Sequence, residues 1–133
     1  MYTNPYEQYR NAQIETASPD RLLLMLYDGA IRFLGQAREA LSRKEIERSN
    51  HLLNRVQDII AELMSTLDFE AGEISRSLFR LYEYMNYRLI EANAKKDPAP
   101  AEEVERMFRD LREAWQQAAQ MARAGSSKVT AAG

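Results

Sequence analysis

The only histidine, His51, sits on the same stretch as Glu47 and beside Arg48, Ser49 and Asn50. A carboxylate and an imidazole one helical turn apart could begin a di-iron site. Such bundles need Glu-x-x-His from two helices and a further glutamate from each of two others. Glu47 stands at the wrong offset and a second histidine is missing, so His51 reads as an exposed or helix-edge residue. Cysteine is absent, which removes disulfide and thiolate chemistry. Gly29 and Gly35 fall inside a helical pattern and build no phosphate loop. Ser18 has no base placed beside it by any motif and is better suited to capping a helix than to attacking a substrate. The pair Glu102-Glu103 fits a solvated first helical turn. No catalytic residue, metal site or cofactor is expected, and an enzyme is the class the sequence supports least.

Composition narrows the rest. A chain of 133 residues has room for one compact domain, and an apolar content of 45% is enough for a core. Acids and bases alternate to a net charge of −2. That argues against nucleic acid, whose binding needs clustered Lys and Arg. No apolar run approaches the roughly 20 residues that span a bilayer, so no membrane insertion is expected. The start Met1-Tyr2-Thr3-Asn4-Pro5 lacks a signal-peptide pattern, and a cytoplasmic location is expected.

Punctuation marks the elements. Ser18-Pro19-Asp20 supplies an N-cap, a first-position proline and an acid at the positive helix end, predicting a first helix over 19–42. Ser42-Arg43-Lys44-Glu45 has capping-box spacing and predicts a second over 44–66. A turn over 67–72 precedes a third over 73–96, and Asp97-Pro98-Ala99-Pro100 separates it from a fourth over 101–123. Period-2 alternation of β-branched residues is absent. The expected fold is an all-α, antiparallel up-down-up-down four-helix bundle, because short connections make sequential helices antiparallel neighbours. It would comprise a cap segment over 1–17, the bundle over 18–124 and a disordered tail over 125–133.

Helical spacing assigns a core stripe to each helix: Leu23, Leu26, Tyr27, Ala30, Leu34, Ala37 and Leu41; Leu53, Val56, Ile60, Leu63 and Leu67; Ile74, Leu78, Leu81, Tyr82, Met85 and Leu89; Val104, Met107, Phe108, Leu111, Trp115 and Ala118. The surplus is more informative. Leu22, Leu24 and Met25 point away from the first stripe, Leu52 and Ile59 widen the second, and Phe79, Tyr87 and Ile90 lie well off the third. A contiguous apolar surplus marks an interaction surface. Leu22, Met25, Ile59 and Phe79 are expected to cluster at one end of the bundle. Two occupants suit that cluster: residues 1–17 folding back through Tyr6, Tyr9 and Ile14, or a partner's amphipathic segment lying in a groove. A displaceable N-terminal lid would reconcile them.

Several polar or glycine-bearing motifs go beyond generic helix patterning. Thr16-Ala17-Ser18-Pro19 leading into Leu24-Met25-Leu26-Tyr27-Asp28-Gly29-Ala30 resembles the opening helix of the flagellin export chaperones, the FliS family. Ile59-Ile60 through Leu67-Asp68, Gly72-Glu73-Ile74, Leu81-Tyr82-Glu83-Tyr84-Met85, Ala92-Asn93 and Ala114-Trp115 continue the likeness in order over about residues 1–120. Ala71 departs from it where family members often carry a second glycine. The resemblance implies an antiparallel four-helix bundle. It also implies a partner, the C-terminal segment of flagellin, kept from premature polymerisation and presented to the flagellar type III export gate. Leu22, Met25, Leu52, Ile59, Phe79, Tyr87 and Ile90 become the candidate client contacts. The competing reading is a helical regulatory or oligomerisation module whose apolar surplus closes a homodimer.

Overall fold

The computed structural model describes residues 18–132, with side chains as far as residue 125. Tyr6, Tyr9 and Ile14, the residues assigned to a lid, lie outside the described residues. Four helices account for most of what is described: α1 Pro19–Ser42, α2 Ile46–Ser65, α3 Glu73–Lys95 and α4 Pro98–Ala132, with a 3-10 turn at Phe69–Ala71. Among the described residues there is no strand. The all-α four-helix bundle is therefore present.

Local chemistry explains most of the boundaries. Ser18 Oγ accepts from the Arg21 backbone N–H at 3.3 Å, with Pro19 in the first turn and Asp20 beside it, so α1 begins where its signals lie. The Ser42–Glu45 capping box does not form. Ser42 is the last residue of α1, and Glu45 precedes α2 without a side-chain cap. The backbone makes a Schellman motif there instead. Lys44 N–H donates to Leu41 O at 3.1 Å and Glu45 N–H to Ala40 O at 2.9 Å. The motif needs a left-handed residue, which is Lys44 at φ 60°. The end of α3 repeats it: Asp97 N–H reaches Ala92 O at 3.1 Å across Lys96, at φ 51°. Helix α4 starts at Pro98 rather than Ala101, because first-turn prolines forfeit no helical hydrogen bond. Asp97 Oδ1 caps that turn by accepting from Ala99 N–H at 3.0 Å. At its other end α4 continues past Arg123 to Ala132. Gly125 costs a helix only about 1 kcal/mol, and the alanines around it favour continuation.

Helix α1 packs against α2 and α4, and α3 packs against the same two helices, so α1 and α3 occupy opposite corners. Small residues let α1 approach closely: Ala30, Ala37 and Ala40 have no exposure, and Gly29 is buried. Arg38 of α1 pairs with Glu105 of α4 at 3.1 Å, Asp28 with Arg112, and Tyr27 with Trp115. The numbers rise along α1 as they fall along α4, so these two helices run in opposite directions.

Four expectations about the core change. Ile59, 1% exposed, and Leu52, 7% exposed, belong to the core and not to a surface surplus. The buried face of α2 is wider than one stripe because neighbours flank it on two sides. Ile74 is 73% exposed. It has the right helical phase, but in the first turn of α3 it sits beyond the packed part of its neighbours. Ala118 is also exposed, because it lies ten residues past Phe108, the last buried residue of α4 among the described residues.

At the centre, the Tyr27 and Tyr82 hydroxyls are 2.6 Å apart, and Trp115 Nε1 donates to Tyr27 Oη at 2.9 Å. The Tyr27 ring meets Phe108 edge-on at 5.5 Å between centroids. Burial pushes the Tyr27 hydroxyl pKa up, partly offset by the bonds to Tyr82 and Trp115. It pushes Tyr82 up as well, reinforced by Tyr27.

Two outcomes follow from this architecture. Gly72, at φ 118° and ψ −161°, occupies a region closed to side chains although no atom crowds it. Gly72→Ala should lower stability by about 1–3 kcal/mol in urea melts with helical content retained. The tyrosine pair sets alkaline behaviour. Both groups bind their protons more tightly when folded than at the ordinary value of 10.0. Their contribution is therefore complete below pH 10 and declines as pH rises above it, when the unfolded chain ionises first. Tyr82, the more strongly shifted, should impose a slope approaching about 1.4 kcal/mol per pH unit. Denaturant titrations from pH 9 to 11 should show that slope reduced in Tyr82→Phe.

Candidate client-binding surface

Trp115 positions the candidate site. Its indole nitrogen is tethered to Tyr27, while its ring is only partly buried and faces the first turns of α1. There Leu23, Leu24 and Asp20 stand opposite Trp115, Ala118 and Ala119, enclosing a groove of about 200 Å³. A wider depression of about 590 Å³ continues from it, bordered by Ser18, Arg21, Gln116 and Arg123. The groove exists because α4 sets Trp115 beside three alanines, Ala118, Ala119 and Ala122, while α1 opens with consecutive leucines. A large aromatic next to small side chains leaves a hollow that α1 only half fills.

The sequence-assigned contacts divide into three groups. Leu22 and Met25 are half-buried in the opening turns of α1 but do not line this groove, and Leu22 packs partly on the core. Leu52 and Ile59 are core residues and do not reach the surface. Phe79 is half-buried and meets Phe69 of the 3-10 turn edge-on at 5.4 Å between centroids. The expected single cluster of Leu22, Met25, Ile59 and Phe79 is therefore not assembled: Ile59 is internal, and α1 and α3 stand at opposite corners.

A second apolar surface lies on α3. Tyr87 is 59% and Ile90 50% exposed, as their helical phase predicts. Nearby, Tyr84 donates to Glu103 of α4, which also accepts from Arg88 Nε at 3.2 Å. That bond pushes the Tyr84 hydroxyl up, and with Arg88 it holds the Glu103 carboxyl below its usual range. The polar trio fixes α3 to α4 and leaves Tyr87 and Ile90 facing outward.

Sequence reading did not bring Leu24, Trp115 and Ala119 together as the lining of one groove. The signal was available in the Trp115, Ala118, Ala119, Ala122 series, a helix face too small to close a core around its own tryptophan. His51 is exposed, and among the described residues no group of three or more His, Asp and Glu side chains could hold a metal. No helix of the described residues is long and apolar enough to cross a membrane. The surface can bind an apolar segment. It carries no arrangement of acid, base and nucleophile.

Comparison with known proteins agrees with that chemistry. The family model described as "Flagellar protein FliS" matches residues 2–122. The flagellar secretion chaperone FliS of Bacillus subtilis is 42% identical over 120 residues, covering 90% of each chain. Flagellar secretion chaperone FliSB of Pseudomonas aeruginosa is 38% identical over 105 residues, 78% of this chain and 83% of its own. The FliS of Salmonella typhimurium is 37% identical over 124 residues, 88% of this chain and 92% of its own. A bundle anchored by Tyr27 and Trp115 and matched over nearly its whole length, the chain belongs to the FliS family of flagellar proteins, a family of chaperones and not of enzymes.

Proposed function

We propose that the chain is a cytoplasmic flagellar export chaperone whose client is the C-terminal segment of flagellin. The observation that carries this reading is the apolar groove between the opening of α1 and the Trp115 region of α4, within a member of a chaperone family. A segment that assembles into a filament must expose apolar side chains to its neighbours, so masking it requires an apolar cradle of similar extent. Export requires the same segment to stay short of its assembled fold. Laying it in pieces along a helical surface meets both needs, since the ordering entropy is offset by a large wrapped interface. Leu22, Leu24 and Met25 line one stretch of that path, Phe79 with Phe69 offers a second, and Tyr87 with Ile90 a third. The complex then delivers flagellin to the export gate. Without client, residues 1–17 or a second copy of the chain would cover the groove.

Isothermal titration with a flagellin C-terminal peptide tests this directly. Leu24→Asp and Met25→Asp should each weaken binding by roughly tenfold or more, because a carboxylate would be desolvated against an apolar client. Their thermal melts should stay close to the parent, as neither side chain is fully buried. Raising salt from low to moderate should change the affinity little. Undiminished affinity in both variants, with loss in Tyr87→Asp, would move the principal contact to α3. A steep log-linear loss with salt would point to an electrostatic partner instead.

A further inference from the structure

The far end of the bundle carries another groove, apart from the one beside Trp115. It lies where α1 turns into α2, beside the end of α3, and has a volume of about 250 Å³. Leu41 and the exposed Ile46 form its apolar walls, and Ser49 lies at its base with Oγ turned to Ile46 O at 2.8 Å. Lys44 and Lys96 stand on its rim. These are the two non-glycine residues with positive φ among the described residues. Both therefore hold the left-handed position of a helix-ending motif, where glycine is the usual occupant.

The charges around the groove are unevenly matched. Arg43 pairs with Glu39, Arg48 with Glu45, and Lys95 with Glu91. Asp97 is turned to cap α4, and Glu47 points outward from the first turn of α2. Lys44 has no carboxylate partner among the described residues, and Lys96 reaches only the amide oxygen of Asn93. An ammonium has three N–H donors, so Asn93 leaves two of those on Lys96 unused. Neighbouring cations are neutralised while the two facing the groove are not. A groove with apolar walls beside two ammonium groups that lack carboxylate partners is complementary to an apolar side chain flanked by carboxylates.

We propose that this groove docks a short acidic peptide of a partner protein, with one apolar residue seated between Leu41 and Ile46 and its neighbouring carboxylates on Lys44 and Lys96. The site is about 26 Å along α1 from Leu24, well away from the α1–α4 stretch of the client path. The proposal goes beyond the client reading and does not depend on it.

A fluorescent acetylated peptide Asp-Glu-Leu-Leu-Glu-Asp is the probe, with Asp-Glu-Ser-Ser-Glu-Asp and Lys-Arg-Leu-Leu-Arg-Lys as controls. The full chain should bind the first peptide in preference to both others. Amide NMR shifts should centre on Lys44, Ile46, Ser49 and Lys96. The double variant Lys44→Asn, Lys96→Asn should weaken binding by roughly tenfold. Asparagine accepts the left-handed conformation, so the helix ends should remain intact and the melting temperature unchanged. Ile46→Ser should weaken binding with the charges left in place. Titration of the double variant with the flagellin peptide should match the parent, which separates this site from the client groove. Absence of binding, equal binding of a control peptide, or equal binding by the double variant would overturn the proposal. So would binding of phosphatidylglycerol–phosphatidylcholine vesicles through these lysines without binding of the peptide, which would make the surface a membrane contact.

Discussion

A hydroxyl buried without a partner costs a fold several kilocalories per mole, so a buried pair of tyrosines dictates where its helices stand. Tyr27 and Tyr82 come from opposite corners of the bundle, and their oxygens meet at 2.6 Å. Trp115 adds a third helix through its indole N–H. Apolar packing alone would tolerate small slides and rotations of α1, α3 and α4. Three side chains joined by directional bonds do not. The position of the Trp115 ring, and hence the shape of the groove above it, follows from this junction.

The same junction divides α1 into two regimes. On one side, Ala30, Ala37 and Ala40 bring it close to its neighbours, and Arg38 reaches the largely buried Glu105 of α4. That half is closed on every side that matters to the core. On the other side, Leu22, Leu23 and Leu24 outnumber the positions the core can take. Opposite them, α4 offers alanines instead of large side chains. One helix thus serves as the keystone of the bundle and as one wall of the groove, the wall lying about one turn before Tyr27 and the closely packed stretch running from about one turn to more than three turns after it.

Much of this was readable from residue types. The cap at Ser18-Pro19-Asp20, the run of four helices, and the outward placing of Tyr87 and Ile90 depend on local chemistry and helical phase, which a sequence carries in full. The errors arose where tertiary geometry decides. Phase cannot tell a residue flanked by two neighbours from one flanked by one, so Ile59 and Leu52 were placed on the surface. It also cannot tell that Ile74 lies past the end of the packing. The box at Ser42–Glu45 had the right letters, but Ser42 belongs to the last turn of α1, which a backbone Schellman motif closes, and α2 begins only at Ile46. The groove was missed because a hollow is made by what is small. Alanines at 118, 119 and 122 look like weak core positions when read alone.

That hollow explains how a stable bundle can keep apolar surface available. A protein that closed every apolar face would gain burial free energy, roughly 25 cal/mol for each Å² removed from water, and would have nothing left to offer a client. Leaving surface open across the whole molecule would invite aggregation. Here the open surface is gathered mainly at the start of α1 beyond the tyrosine–tryptophan junction and on one face of α3, with single exposed residues such as Ile46 elsewhere, while directional bonds and tight alanine packing hold the remainder. Filling the groove with a larger residue at Ala119 would extend the core and close the hollow proposed for a client segment. The small residues of α4 are thus a structural concession that keeps the groove open, and the polar junction beneath them lets the fold tolerate it.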